Sequence, residues 1–94
     1  PGVTDAKKEI QTLVQNLDYA PTFLEMAGIK PTPDMQGKSL VPLLKNPTST
    51  WDREALYYEY TEYPDAHRVQ PHYGIRTKDR KLIYFPMSKE WEYY

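Results

Sequence analysis

The residues that could carry chemistry are concentrated in the second half of the chain. Carboxylates, tyrosines and a histidine follow one another from Glu59 to His67, and His72 and Arg76 come soon after. His67 and His72 lie on or beside a proline-bounded connection, and connections of this kind often carry binding sites. Arg76 can hold an anion through two parallel hydrogen bonds. We therefore predict that His72, Arg76 and His67 bind substrate.

Each of these residues also has a purely structural interpretation. Arg76 could pair with Glu59 or Glu62 on a neighbouring strand, and the two histidines could be ordinary surface side chains. Most of the nine tyrosines follow Trp51. They could stack on sugar rings, but aromatic residues at every second position usually form the packed face of a sheet. The sequence leaves these alternatives open.

Several classes of protein are excluded by composition. The chain has no cysteine, so it has no disulfide, thiolate metal site or thiol nucleophile. It also lacks a glycine-rich phosphate loop, a His-x-x-x-His pair and a serine nucleophile elbow. With 12 Lys and Arg against 13 Asp and Glu, nonspecific nucleic-acid binding has no electrostatic basis. No apolar run approaches the ~20 residues that span a bilayer. We expect neither nucleic acid nor membrane as a partner.

One helix is predicted from residue 18 to residue 28. Asp18 can cap its first turn by accepting a backbone hydrogen bond, and Gly28 can end it in a left-handed conformation. Phe23, Leu24 and Ala27 continue an apolar stripe at helical spacing. We predict that this stripe packs inward.

Two flanking segments are less regular. Residues 10–17 fit either one face of a helix or a short buried strand, and the pattern does not decide between them. Alternate prolines in residues 30–34 exclude a helix or a central strand. Ser39 can then cap a short helical turn that carries Leu40 to Leu44.

After Trp51 the hydrophobic period changes from 3.6 to 2. Strands are predicted at residues 55–60, 72–77 and 81–85, and a fourth starts at Trp91. Tyr73 and Ile75 would lie on one face of the second strand, with His72 and Arg76 on the other. Short turns between successive strands favour an antiparallel meander.

Several motifs in register resemble the sulfatase family, in the stretch that follows its catalytic core. The resemblance is carried by Asn-Leu-Asp-Tyr-Ala-Pro-Thr-Phe-Leu-Glu-Met-Ala-Gly at 16–28 and Met-Gln-Gly-Lys-Ser-Leu-Val-Pro-Leu-Leu at 35–44. It continues in the family's order through residues 58–60, 72–77 and 81–83, and residues 90–94 look like the start of its "E-L-Y-D-L" element. Within the family, Glu59, His67 and His72-Tyr73 look most like bacterial enzymes related to N-acetylglucosamine-6-sulfatase.

This resemblance implies an α+β chain: the C-terminal fragment of an alkaline-phosphatase-like α/β sulfatase, with a helix and a small antiparallel sheet. Residues 1–50 would end the large α/β domain, and residues 51–94 would begin a C-terminal sheet subdomain. The chain starts at Pro1 and stops in mid-pattern at Tyr94, so we expect it to be part of a longer protein. The rest of the catalytic domain would be its partner.

The activity implied by the resemblance is hydrolysis of sulfuric esters. The parent enzyme would use formylglycine and calcium on a sulfated glycan or an aryl sulfate, and would work outside the cytoplasm, periplasmic or secreted. However, Ser39, Ser49 and Ser88 all lack the x-Pro-x-Arg that follows the formylglycine position, and the Asp-Asn pair of the metal site is absent. No catalytic or metal-binding residue can be carried over. We expect the fragment alone to bind neither cofactor and to be inactive.

A second hypothesis is a freestanding, tyrosine-rich carbohydrate-binding module. Such a module would recognise sugars by stacking on exposed rings, with Tyr57, Tyr58, Tyr60 and Tyr63 as the candidates. It accounts for the tyrosines but not for the motifs at residues 18–28 and 36–44.

Overall fold

The computed structural model describes residue 4 and residues 7–64 and 66–94; residues 1–3, 5, 6 and 65 lie outside this description. The chain divides into two units, Pro1–Asp52 and Arg53–Tyr94, which are described separately below. The first contains a 3-10 helix (Asn16–Asp18) and helices α1 (Tyr19–Met26) and α2 (Val41–Lys45). The second contains strands β1 (Leu56–Tyr60), β2 (His72–Arg76), β3 (Lys81–Phe85) and β4 (Glu90–Tyr93). The assignment of residues 1–50 to the end of a larger domain stays a prediction.

Two buried polar side chains hold the first unit together. The fully buried Asp18 carboxylate accepts hydrogen bonds from the backbone amides of Gln15 (2.7 Å) and Lys38 (2.9 Å). One turn later, the Thr22 hydroxyl donates to the carbonyl of Asp18 (2.5 Å) and accepts from the amide of Leu40 (2.9 Å). The backbone amides of Lys38 and Leu40 are therefore both hydrogen-bonded to side chains at or just before the start of α1.

The prediction that Asp18 caps the first turn of α1 is wrong, because its carboxylate binds a different backbone amide. Asp18 is the third residue of the 3-10 helix, and its carboxylate satisfies the amide of Gln15, which precedes that helix. Helix α1 begins at Tyr19 because the 3-10 helix runs directly into it. Residues 10–17 form neither the helix nor the strand that the sequence left open. Only Asn16 and Leu17 enter a regular element, the 3-10 helix.

The predicted end of α1 is confirmed. Gly28 has a φ of 74°, and its amide donates to the carbonyl of Glu25 at 3.0 Å. The Ile29 amide donates to the Leu24 carbonyl at 2.8 Å. These two bonds form the Schellman arrangement that satisfies carbonyls at a helix end.

The prediction that the apolar stripe of α1 packs inward is wrong for the described chain. Phe23 is 65% exposed, Ala27 is exposed and Leu24 is half-buried. The buried residues of α1 are Pro21 and Thr22. The helix is turned this way because Thr22 must reach the amide of Leu40, which directs the neighbouring Phe23 side chain away from that contact.

The core of the first unit is small and comes from α2. Val41 is 8% exposed and Leu43 is 1% exposed. The predicted helical turn is confirmed, although it starts at Val41 rather than Leu40. The Ser39 hydroxyl accepts from the Val41 amide at 3.2 Å. The prediction that Ser39 is the cap is wrong, because Leu40 occupies the cap position of α2 and makes no side-chain hydrogen bond there.

A close backbone approach brings the Lys38 segment against the 3-10 helix. A β-carbon on Gly37 would overlap the backbone carbonyl of Leu17, so only glycine fits there. Trp51 also belongs to this unit, because its indole N–H donates to the carbonyl of Leu13 at 3.0 Å. The Lys38 ammonium lies 4.7 Å from the centre of the Trp51 ring and pairs with Asp52.

The second unit is the predicted antiparallel meander. Its strand order is β1-β2-β3-β4, and each strand pairs antiparallel with the next. Tyr60 lies opposite His72 and Leu56 lies opposite Arg76. Because side chains alternate along β2, His72 and Arg76 share one face and Tyr73 and Ile75 share the other, as predicted. No helix among the described residues is long and apolar enough to cross a bilayer.

We predict that Asp18→Ala destabilises the chain far more than Phe23→Ala. The first change leaves two backbone amides without their acceptor and should lower the free energy of unfolding by about 3 kcal/mol. The second trims a mostly exposed ring, and its cost should stay below about 1 kcal/mol. Urea unfolding followed by far-UV circular dichroism measures both. A larger loss of unfolding free energy for Phe23→Ala than for Asp18→Ala would contradict both the exposure of the stripe and the importance of the hydrogen bonds of Asp18.

Candidate functional site

His72 lies in an aromatic cluster on one face of the sheet. The cluster consists of Tyr58, Tyr60, His72 and Phe85. The His72 ring stacks on Tyr60 at 5.4 Å between ring centres, meets the edge of Tyr58 at 5.8 Å and is tilted against Phe85 at 5.4 Å. The His72 residue is half-buried as a result. These contacts fix the ring orientation, because aromatic packing restricts side-chain rotation.

Gly74 makes room for this cluster. It lies opposite Tyr58 on β1 and Ile83 on β3. A β-carbon at Gly74 would overlap the ring of Tyr58, so that ring lies directly over the Gly74 backbone. Ile83, which pairs with Gly74 on the same face, is 6% exposed. A glycine inside an aromatic strand is the sequence signal that could have revealed this packing.

The hydrogen bonding of the cluster is incomplete within the described residues. The His72 Nδ1 lies 2.9 Å from the carbonyl oxygen of Gln70. Since a carbonyl only accepts, Nδ1 carries a proton, and in the neutral ring Nε2 is left as an acceptor. The hydroxyls of Tyr58 and Tyr60 are buried, and neither has a hydrogen-bond partner in the part of the chain that the structure describes. Buried hydroxyls normally have hydrogen-bond partners, so these two are exceptions within the described residues.

Arg76 lies at the other end of β2, opposite Leu56 and Lys81. The alternative pairing with Glu59 does not form, because Glu59 lies opposite Tyr73 and so belongs to the other face of the sheet. Arg76 and His72 are four positions apart on one face, which separates them by about 13 Å. They can therefore contact different parts of one extended ligand but not the same small anion.

His67 is exposed in a turn of the connection between β1 and β2. Within the described residues it makes no hydrogen bond and no ion pair. The structure thus brings His72 into an ordered cluster, sets Arg76 on the same face and leaves His67 apart from these contacts. The binding roles of all three residues stay predictions.

The described residues were compared with what calcium and formylglycine require. Among residues 4, 7–64 and 66–94, no three His, Cys, Asp or Glu side chains come together as a metal site would require. The serines Ser39, Ser49 and Ser88 do not start the formylglycine signature. No catalytic step is therefore assigned to the residues of this chain.

The helices and the four-stranded sheet are those of the C-terminal region of sulfatases. The chain belongs to the family described as N-sulphoglucosamine sulphohydrolase, C-terminal, which matches residues 1–94. The resemblance found in the sequence motifs is thereby confirmed. The match includes the motifs at residues 18–28 and 36–44, which a freestanding carbohydrate-binding module does not explain.

Two curated relatives cover most of the chain. It is 47% identical to an N-acetylglucosamine-6-O-sulfatase of Bacteroides thetaiotaomicron over 98 aligned residues, which cover 100% of this chain and 17% of the relative. It is 30% identical to an ulvan-active sulfatase of Formosa agariphila, over 83% of this chain and 16% of the relative. The chain thus spans less than a fifth of the length of either protein.

Solved structures give the same result. A protein in complex with its substrate D-glucosamine-2-N,6-O-disulfate is 52% identical, with a TM-score of 0.74, over 82% of this chain and 16% of that chain. A Bacteroides thetaiotaomicron protein assigned as a sulfatase is 27% identical, with a TM-score of 0.81, over 100% of this chain and 20% of that chain. The predicted fold, an α+β segment with a small antiparallel sheet, is confirmed.

Proposed function

We propose that this chain is the C-terminal portion of a sulfatase that removes sulfate from a glucosamine-containing glycan. The observation that carries the proposal is the 47% identity to an N-acetylglucosamine-6-O-sulfatase across the whole chain. The similarity to a protein that binds D-glucosamine-2-N,6-O-disulfate supports the same class of substrate. Because the chain covers so small a share of these relatives, the activity belongs to the longer protein.

The chemistry would be supplied by other parts of that protein. Formylglycine and calcium are expected there, where the nucleophile attacks sulfur and the cation neutralises the sulfate oxygens. The residues of this chain would instead contact the sugar. Since glycans of this kind lie outside cells, we also propose a periplasmic or secreted location.

His72 is the residue most suited to contact the sugar. Its ring is held by the aromatic cluster, and its Nδ1 is occupied by the carbonyl of Gln70. In the neutral ring, Nε2 can only accept a hydrogen bond, so it suits a sugar hydroxyl. When protonated, the same nitrogen becomes a donor and suits an anionic group. Arg76 and His67 would make secondary contacts.

The substrate class is tested by measuring sulfate release from a panel of sulfated sugars. We expect the full-length protein that carries this segment to release sulfate from 6-O-sulfated N-acetylglucosamine faster than from ulvan or an aryl sulfate. Ion chromatography of free sulfate provides the measurement. The purified 94-residue chain serves as the control and should release none. Release from ulvan but not from the glucosamine sulfates would contradict the proposed substrate.

The role of His72 is tested with two variants in the same full-length protein. His72→Phe keeps an aromatic ring in the cluster but removes both nitrogens, whereas His72→Gln keeps polarity but loses the ring. If His72 binds the sugar, His72→Phe should lower kcat/KM for the sulfated glycan by about tenfold and leave the aryl sulfate within about twofold.

The thermal midpoint separates this role from a purely structural one. His72→Phe should retain the midpoint of the unchanged protein, because the packing of the ring is preserved. Equal losses on both substrates, or no loss on either, would show that His72 makes no specific contact with the glycan.

A further inference from the structure

The hairpin that joins β2 and β3 is the most strongly charged part of the chain. Although the whole chain has a net charge of −1, four of its 12 Lys and Arg residues fall within positions 76–81. They are Arg76, Lys78, Arg80 and Lys81. These four residues, called the hairpin cations below, line one concavity of about 180 Å³ together with Thr77, Asp79 and Tyr94.

The backbone of this hairpin is well ordered by hydrogen bonds. The Thr77 amide donates to the Arg80 carbonyl at 2.9 Å, and the Arg80 amide donates to the Thr77 hydroxyl at 3.1 Å. Lys81 and Tyr94 exchange two backbone hydrogen bonds of 2.8 Å, which brings the end of β4 alongside the start of β3. These bonds involve main-chain atoms and the Thr77 hydroxyl, so the side chains of Lys78 and Arg80 are not needed for them.

The hairpin cations are not held in ion pairs within the described part of the chain. None of the four forms an ion pair with a carboxylate. Lys81 instead lies 5.8 Å and 5.7 Å from the ring centres of Tyr58 and Tyr94. The nearby carboxylate of Glu92 accepts a hydrogen bond from the Tyr94 hydroxyl at 2.9 Å and forms no ion pair with these cations within the described residues. Asp79 is the one carboxylate among the residues that line the concavity, so the four cations leave an excess of positive charge there, and an anion in the concavity would relieve their repulsion.

From this geometry we infer that the β2–β3 hairpin is a second anion-binding subsite, which holds a sulfate or carboxylate group on a sugar beyond the one that is hydrolysed. The inference rests on the proposed function, because a sulfated glycan supplies such groups along its chain. Arg76 contributes the planar guanidinium that binds oxyanions through paired hydrogen bonds. His72 lies on the same face about 13 Å along the strand, so an extended saccharide can contact both.

The inference is tested by removing two charges from the hairpin. Lys78→Gln combined with Arg80→Gln leaves the backbone bonds of the turn intact. The control is Lys89→Gln, which removes one positive charge in the turn between β3 and β4. Lys89 has a φ of 58°, and lysine and glutamine are equally disfavoured there, so the control adds no new strain.

In the full-length protein, kcat/KM is measured for a sulfated tetrasaccharide and for the 6-O-sulfated monosaccharide. The double variant should lose about tenfold on the tetrasaccharide and stay within about twofold on the monosaccharide. The loss should shrink at high salt, because exposed charges are screened. The control variant should match the unchanged protein on both substrates. Equal losses on both substrates, or no loss on the tetrasaccharide, would overturn the inference.

A separate binding experiment tests the inference independently of the proposed function. Affinity is measured for a fluorescent sulfated tetrasaccharide, its desulfated but carboxylated form and a DNA duplex of equal charge. The subsite is supported if the double variant, but not the control variant, binds either saccharide more weakly. The saccharide whose binding is weakened, sulfated or carboxylated, then identifies the anion. Unchanged binding of both, or an equal loss on DNA, overturns it. If the unchanged protein hydrolyses neither sulfate ester, the proposed function fails, and this arm still decides the inference.

Discussion

The first unit depends on a carboxylate that is buried away from water and satisfied by backbone amides. Asp18 receives two such hydrogen bonds, one from Gln15 beside it and one from Lys38, which lies 20 residues further along the chain. Thr22 repeats the arrangement one turn later with Leu40. A buried charge without partners is costly, so the chain can fold here only if both segments meet. The apolar core alone, mainly Val41 and Leu43, is too small to impose this arrangement.

The second unit depends on a different constraint, the close contact between Gly74 and the ring of Tyr58. Because that ring lies on the backbone of β2, the aromatic cluster can form and hold His72 at one end of the strand. The same register sets Arg76 at the opposite end, beside the β2–β3 hairpin. Strand β2 thus presents the imidazole of His72 and the guanidinium of Arg76 on a single face, and the other hairpin cations follow in the turn and at the start of β3. This arrangement is the basis for the extended, anionic ligand that we propose.

The sequence predicts the sheet well and the packing of the helix poorly. Strand positions follow from alternation and short turns, both of which are local, and Gly28 ends α1 for a local reason. The partners of Asp18 and Thr22 are distant in sequence, so no local pattern reveals them. Helical spacing identifies the apolar stripe of Phe23 but not what would cover it. For the site, the sequence indicates His72 and Arg76 as candidates, but the aromatic cluster becomes visible only once the register is known.

Asp18 and Thr22 anchor residues 38–40, and amide hydrogen exchange tests this anchoring most directly. Hydrogen exchange resolved by residue would be measured in the protein that carries this segment. We predict that the amides of Lys38 and Leu40 exchange much more slowly than that of Lys30 in the proline-rich loop, because both are hydrogen-bonded to buried oxygens. Exchange of Lys38 and Leu40 as fast as that of Lys30 would contradict it.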